Sequence, residues 1–232
     1  MTRVVAPGST KLSSTLGTIL EDGHQPREDA SLHMTTSPPA LLSDLRDAGV
    51  VVSDIWDLVN GNRRHRAAVP VLVTWLEGVD DLVPTEDRAA VAEALVRALS
   101  TPDAAGVAVP TLLREFRDVD SSDDLGLRWV IGNALSITAS SDHFDHIESL
   151  VRDRSYGRSR QMLVQGSPRI DSARALPVLL WALEDDDVTA HALMALSRLK
   201  PHGIRERVVS LVQHPQPLVQ REAKKALARL PD

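Results

Sequence analysis

The sequence predicts an all-α fold in which helix pairs repeat along the chain and stack as an α-α superhelix. Aromatic residues make up only 3% of the 232 residues, whereas a pleated sheet usually needs more aromatic and β-branched side chains to fill its faces. Ala and Leu, which favour helices, are frequent instead. An internal repeat with intervals of 29 to 40 residues is typical of stacked helical units.

The N-terminal segment differs from the rest of the chain in composition. Residues 1–39 carry scattered Gly, Ser, Thr and Pro without helical periodicity, which predicts a disordered or weakly ordered tail. The predicted folded domain therefore spans residues 40–232. Met34 stands just before this domain and is an alternative candidate for the start of translation.

Two short helices are predicted ahead of the repeats. An apolar helical face that begins at Leu41 predicts a helix ending near Gly49. Ser53 is expected to cap a second helix, which ends at Asn60 and Gly61. We interpret these two helices as an N-terminal cap on the stack.

The first helix of each predicted pair begins with a recurring apolar pattern. It reads AVPVLVTWL from Ala68, AVPTLLREF from Ala108 and ALPVLLWAL from Ala175, with weaker copies at residues 143–151 and 204–212. Proline early in a helix sacrifices no hydrogen bond, because the N–H groups of the first turn have no partner within the helix. We therefore expect helices to begin here, with Thr101, Ser141 and Ser172 as N-caps.

The second helix of each pair sets the register. A small residue recurs at Ala94, Ala134, Gly166, Ala195 and Ala226, followed directly by Leu95, Leu135, Ser167, Leu196 and Leu227. Close helix packing requires a small residue beside a large one, because one backbone approaches while the neighbouring Leu fills the remaining space. Positions are counted below from the small residue, which is position 0.

One copy departs from this pattern. Gly166-Ser167-Pro168 stands where Ala-Leu is expected, and proline inside a helix costs about 3 kcal/mol. We therefore expect this helix to kink or stop near Gly166, which would leave a local weakness in the stack.

Acidic runs separate the helices at residues 79–81, 120–124 and 184–187. They lack the ligand spacing and the glycine of a calcium-binding loop. We interpret them as solvated turns beside helix N-termini, where the helix dipole favours negative charge.

Units of AxPxLLxxL, an acidic turn and VxxxAxxALxxL resemble HEAT repeats of the short bacterial type grouped with the phycobilin-lyase HEAT-like repeats. The copy HPQPLVQREAKKALARL is the most similar, and the resemblance extends over residues 67–230. It implies a HEAT-like solenoid of about five helix pairs, in which one helix of each pair lines a concave face for partners. It implies little about function, because these repeats serve many unrelated roles.

Polar and aromatic residues of the second helices are the candidate partner-binding residues: Arg128, Trp129, Asn133, Arg160, Gln161 and His191. Arg128 and Arg160 occupy equivalent positions of the repeat, so such residues would form a stripe along the solenoid. The alternative interpretation is structural, because ladders of Arg and Asn also bridge neighbouring repeats.

Nucleic-acid binding is the alternative function. Basic clusters occur at residues 63–66 and at Arg154, Arg158 and Arg160, and such clusters contact phosphates. The repeats also resemble those of HEAT-like alkylpurine DNA glycosylases, which implies a concave basic cleft with aromatic residues. The four Trp residues are dispersed over separate repeats, however, and their helical spacing favours core positions.

His143 and His146 stand at i and i+3 beside acidic residues, a spacing at which two His side chains can share a metal ion. No further ligand is evident on another element, so a polar helix start explains these residues better. The chain has no Cys, which removes disulfides and thiolate ligands. We therefore predict no catalytic residue, no cofactor and no metal, and a protein that is not an enzyme.

The charge distribution bears on the partner. The net charge of −6 does not favour general binding of polyanions. Residues 198–232, however, carry eight Lys or Arg against three Asp or Glu. This basic end predicts either a polar cap on the last repeat or contact with an acidic partner or a phosphate backbone.

The compartment and the partner follow from these observations as expectations. No apolar run approaches the about 20 residues of a membrane span, and no signal peptide is recognisable. We therefore predict a soluble, cytoplasmic scaffold that binds another protein and makes no membrane contact. The sequence leaves the binding of a small molecule open.

Overall fold

The computed structural model describes residues 37–61, 65–119 and 126–231, all of which belong to the unit of residues 35–232. Within these ranges the regular secondary structure is helical and no strand occurs. The predicted all-α class is therefore confirmed. Most of the predicted tail lies outside the described residues.

Helix α1 (Pro39–Asp47) and helix α2 (Trp56–Asn60) precede the repeats. Gly49 follows the end of α1 with φ +81°, as the sequence predicts, because this left-handed conformation favours glycine. Ser37 is buried, although the sequence places it in the tail. Its hydroxyl accepts a hydrogen bond from the N–H of Ile55 at 2.8 Å, which ties the start of α1 to the start of α2.

The remaining helices, in chain order, are α3 (Ala68–Glu77), α4 (Val79–Leu82), α5 (Arg88–Leu99), α6 (Val109–Asp118), α7 (Leu127–Thr138), α8 (Phe144–Arg152), α9 (Gln161–Ile170), α10 (Ser172–Ala182), α11 (Thr189–Leu199), α12 (Arg205–Val209) and α13 (Pro217–Leu227). Short 3-10 segments occupy Pro102–Ala104, Ser141–His143, Arg154–Arg160 and Ser210–Gln213. Five packed pairs result within the described ranges. The first, or A, helices are α3, α6, α8, α10 and α12, and the second, or B, helices are α5, α7, α9, α11 and α13.

The B helices pack on one another in chain order. Helix α5 contacts α7, α7 contacts α9, α9 contacts α11, and α11 contacts α13. Each B helix also packs on the A helix of its own pair, whereas A helices contact one another less extensively. The small residues lie inside this layer, because Ala94, Ala134, Ala195 and Ala226 are all buried.

Gly166 fills the same position where α9 meets α7. A Cβ added to Gly166 would lie 2.4 Å from the Cβ of Ser136. Only glycine therefore permits this approach of the two helices. The position that the sequence marks as a weakness is a site of close packing.

Helix α9 runs through Pro168 to Ile170, so the predicted stop near Gly166 is wrong. Pro168 has no N–H to donate to the carbonyl of Val164. The buried hydroxyl of Ser167 donates to that carbonyl instead, at 2.9 Å. The serine therefore replaces the hydrogen bond that the proline removes.

Two predicted N-caps are displaced by one residue. Ser140 and Asp171, rather than Ser141 and Ser172, cap the turn before α8 and the start of α10. The carboxylate of Asp171 accepts from two backbone N–H groups of the first turn of α10, at 3.1 and 3.0 Å. Because α10 begins at Ser172, Pro177 lies inside that helix and not in its first turn.

Candidate binding surface

Position −6 of every B helix carries a polar side chain that donates to a backbone carbonyl. This carbonyl lies in the last turn of the preceding A helix or between that helix and the B helix. The five donors are Arg88, Arg128, Arg160, Thr189 and Gln220, and their acceptors are the carbonyls of Val83, Phe116, Val151, Asp185 and His214, at 2.6 to 3.0 Å. The last carbonyls of a helix have no partner within the helix. The side chain at position −6 therefore stabilises the turn between the two helices.

Arg160 is fully buried and makes several bonds. Its Nη1 donates to the carbonyl of Val151 and to the carboxylate of Asp185, both at 2.9 Å. Its Nε donates to the carbonyl of Gly157 at 2.8 Å. The carboxylate of Asp187 lies 3.7 Å from its Nη2. Arg160 thus links the start of α9 to the loop before α11.

Arg128 is similarly enclosed, with 5% of its surface exposed. Its Nε donates to the carbonyl of Phe116 at 2.9 Å, and its Nη2 donates to the carbonyl of Val119. The guanidinium carbon lies 5.1 Å from the ring centroid of Tyr156, a cation–π contact. Burial leaves Arg128 and Arg160 no surface for a partner, so the geometry favours the structural interpretation of these two candidates.

Trp129 and Asn133 lie on the opposite, partly exposed side of the B helices, at positions −5 and −1 of α7. Helix α9 packs between α7 and α11, and position 0 is turned into the layer in all three. The outward positions of the three helices therefore share one surface. We call this surface the B face, and its residues are Trp129, Asn133, Met162, Gln165, His191 and Met194.

Three residues of the B face are absent from the sequence-based candidates: Met162, Gln165 and Met194. Gln165 and Met194 occupy position −1, which Asn133 occupies on α7. The alignment on the small residues therefore identifies Gln165 and Met194 from the sequence. A criterion of polarity alone does not select the methionines.

Gln161 lies beside the acidic loop, whereas His191 belongs to the B face. The Nε2 of Gln161 donates to the carbonyl of Asp187 at 3.0 Å. The Nδ1 of His191 is buried and has no hydrogen-bond partner among the described residues. Burial, and then the cation of Arg158, lower the pKa of His191 to about 4. His191 is therefore neutral at neutral pH and adds no charge to the B face.

The amides at position −1 differ from the donors at position −6. The side chains of Asn133 and Gln165 make no hydrogen bond to another residue of the described ranges. At the two ends of the B layer, position −1 is paired instead, Glu93 with Arg97 at 2.6 Å and Lys225 with a carboxylate at 2.8 Å. The unbonded amides are thus confined to the centre of the layer.

The acidic run at residues 184–187 is more than the solvated turn that the sequence predicts. The carboxylate of Asp185 is buried and accepts from Arg160, and the exposed Asp186 lies 3.1 Å from Nε2 of His214. The loop therefore joins three consecutive helix pairs. These partners stand 25 and 28 residues away in the chain, which is why local sequence patterns do not reveal them.

The basic cluster of Arg154, Arg158 and Arg160 does not form a common patch. Arg160 is buried, while the guanidinium of Arg154 lies 5.2 Å from the ring centroid of Trp181 on α10. Arg158 alone is exposed without a partner in the described ranges. In the other predicted cluster, residues 63 and 64 lie outside the described residues.

His143 takes part in a helix start, because its Nδ1 lies 2.9 Å from Oγ of Ser140. Within the described ranges, no group of three His, Asp or Glu side chains is placed to hold a metal ion. In the same part of the chain, every helix is too short or too polar to cross a membrane.

The chain matches no protein-family model, no curated protein and no solved structure. The likeness to HEAT repeats therefore rests on the sequence motifs and on the paired helices. The role of the B face is argued from its geometry.

Proposed function

We propose that residues 40–232 form a HEAT-like solenoid that acts as a non-catalytic scaffold in the cytoplasm and binds a segment of another protein on the B face. The packing of successive B helices in one register supports the solenoid. The absence of Cys supports a reducing compartment.

One observation carries the proposal for the B face: the contrast between positions −6 and −1. Every polar side chain at position −6 bonds to the backbone, whereas the half-buried amides of Asn133 and Gln165 have no internal partner in the described chain. An amide presents both donors and an acceptor. It therefore suits the N–H and C=O groups of a bound peptide backbone.

The apolar residues of the B face supply contact area beside these amides. Trp129 is half-buried, so part of its ring remains available to a partner, and Trp is enriched among residues that dominate binding energy. Met162 and Met194 offer flexible side chains that adapt to different partner surfaces. Packed helices hold all of these groups in place before binding, which lowers the entropy lost on association.

Affinity capture from the source cells tests the proposal. The bait proteins are the wild-type chain and the double variant N133A/Q165A, and captured proteins are quantified by mass spectrometry. We expect the same protein to be enriched by the wild type and to fall about tenfold with the double variant, because two hydrogen bonds to the partner are lost at about 1 kcal/mol or less each.

The matched control is Q213A, which removes an exposed amide outside the B face. It should capture as much partner as the wild type. Circular dichroism and urea unfolding establish that all baits are folded to the same extent. Equal capture by N133A/Q165A and Q213A would show that the B face does not bind the partner.

A further inference from the structure

Position +3 of the last three B helices carries arginine: Arg169, Arg198 and Arg229. All three are exposed. Arg169 donates to the carbonyl of Ser136 at the end of α7. Arg229 lies 3.3 Å from Oγ of Ser197 near the end of α11. The three arginines therefore line the edge of the B layer at which the B helices end, and we call them the basic edge.

Few carboxylates oppose this charge. Helices α9 and α11 contain no Asp or Glu, and α13 contains only Glu222, which is buried and bonded to Arg221 and Lys225. Asp171 follows α9, but its carboxylate caps the first turn of α10. The basic edge is thus positive although the whole chain has a net charge of −6.

Hydrogen bonds within the chain do not explain the presence of all three arginines of the basic edge. Arg169 and Arg229 bond to the neighbouring B helix, whereas Arg198 has no partner within the described ranges. Arg169 remains an exposed residue despite these bonds. A row of cations beside a neutral, partly apolar face is complementary to a segment that carries both carboxylates and apolar residues.

We propose that the partner segment on the B face is an acidic, partly apolar peptide whose carboxylates pair with the basic edge. This proposal rests on the proposed function. The apolar side chains of the segment contact Trp129, Met162 and Met194, and its Asp and Glu side chains reach Arg198 and Arg229. Because the salt bridges are exposed, they contribute more to the specificity and orientation of the bound segment than to its affinity.

The opposite edge favours a peptide over a nucleic acid. The B helices begin there, and the loop before α11 exposes the side chains of Asp186 and Asp187 by 73% and 46%. A duplex carries one negative charge about every 1.7 Å, so a duplex that covered the B layer would also meet these carboxylates. A peptide segment along the basic edge avoids them.

Selection from a random peptide library displayed on phage, with the full chain as the target, tests the proposal. We expect the selected peptides to be enriched in Asp and Glu next to Leu, Phe or Trp. A synthetic peptide of the selected sequence then serves as the probe in fluorescence polarisation, beside labelled single-stranded and double-stranded DNA. The peptide should bind more tightly than either DNA.

Charge variants locate the site. R198Q/R229Q should weaken binding of the selected peptide about fivefold, and R198E/R229E should weaken it further, because exposed ion pairs contribute up to about 1 kcal/mol each. The control R46Q/R207Q removes two exposed arginines outside the B face and should bind as the wild type does. Raising the salt concentration should reduce the difference between wild type and R198Q/R229Q.

The outcomes separate this proposal from the proposed function. If the selected peptides are neutral or basic but lose binding with N133A/Q165A, the B face binds peptides and the acidic partner is wrong. If acidic peptides bind R198Q/R229Q and R46Q/R207Q equally, the basic edge has no role. If no peptide is selected, or DNA binds more tightly and loses affinity with R198Q/R229Q, the peptide proposal is overturned.

Discussion

A buried arginine is tolerated only where its charge and its N–H groups are matched, because removal from water costs several kcal/mol. Arg160 meets this condition in large part: its Nε and Nη1 donate to two carbonyls and to the carboxylate of Asp185. Its buried Nη2 has no hydrogen-bond partner among the described residues and lies 3.7 Å from the carboxylate of Asp187. Arg88 occupies the same position of the first pair, but 36% of its side chain is exposed and it bonds to one carbonyl. The arginines at position −6 therefore differ greatly in their contribution to the free energy of unfolding.

Replacement of Arg160 by Ala should destabilise the chain more than replacement of Arg88 by Ala. R160A leaves the buried carboxylate of Asp185 without its main partner, and breaking a buried ion pair costs about 3–5 kcal/mol. R88A removes one hydrogen bond, worth about 1 kcal/mol, and an ion pair with the exposed Asp80 at 3.6 Å, which contributes little because it is exposed. The measurement is the free energy of unfolding in urea. Equal losses of unfolding free energy in R160A and R88A would mean that burial does not determine how much the arginine at position −6 contributes to stability.

A second substitution isolates the cause. R160A leaves Asp185 with only the exposed Arg154 as an ion-pair partner among the described residues, at 3.4 Å. D185N removes this poorly matched negative charge, so the double variant R160A/D185N should be more stable than R160A alone. A double variant that is less stable than R160A would show that Asp185 is not destabilised by the loss of Arg160.

Helix α9 illustrates how one element depends on several local features at once. Gly166 permits the approach to α7, Ser167 satisfies the carbonyl that Pro168 leaves free, and Arg169 bonds to the carbonyl of Ser136 at the end of α7. Four consecutive residues thus fit α9 to its neighbour.

Replacement of Gly166 by Ala should destabilise the chain. Ala favours a helix over Gly by up to about 1 kcal/mol, but its Cβ would overlap the Cβ of Ser136, and overpacking costs about 1–3 kcal/mol or more. G132A is the comparison, because a Cβ there would meet its nearest atom, the backbone oxygen of Ser159, at 3.2 Å, a tight contact but a smaller overlap. We expect thermal unfolding to show a larger loss for G166A, partly recovered in G166A/S136G. A G166A chain as stable as G132A would contradict the close approach.

The sequence predicts the elements of this fold better than their junctions. The small residues at position 0 predict the B helices, because a pattern repeated five times averages out local exceptions. The predicted stop near Gly166 is wrong because the hydroxyl of Ser167 donates the hydrogen bond that Pro168 cannot. The role of residues 184–187 stays hidden because Arg160 and His214 are distant in the chain.

For the candidate surface, the sequence likewise predicts some features and not others. The sequence shows that Arg128 and Arg160 occupy the same position of the repeat. It does not show that both are buried, because an arginine at a repeated position is equally compatible with an exposed site. Trp129 and Asn133 lie on the partly exposed side, as their spacing of four residues predicts. Whether an amide has an internal partner can be decided only from coordinates.

Packing at the scale of the whole molecule is uneven between the two kinds of helix. Each central B helix contacts two other B helices as well as its A helix. The A helices contact one another less extensively than the B helices do, and α12 is only five residues long. In the proposed solenoid, stability is approximately a sum over such nearest-neighbour contacts, so it should be concentrated in the B layer.

Hydrogen exchange of the native chain, followed by mass spectrometry, measures this distribution. We expect the amides of α7, α9 and α11 to exchange slowest, near the limit set by global unfolding, and those of α2 and α12 to exchange fastest by local opening. Helix α9 is the critical case, because Pro168 lies inside it. If the packing at Gly166 and the bond from Ser167 compensate for the proline, α9 will be protected as strongly as α7 and α11. If α9 exchanges as fast as α12, the proline weakens the stack despite the continuous helix.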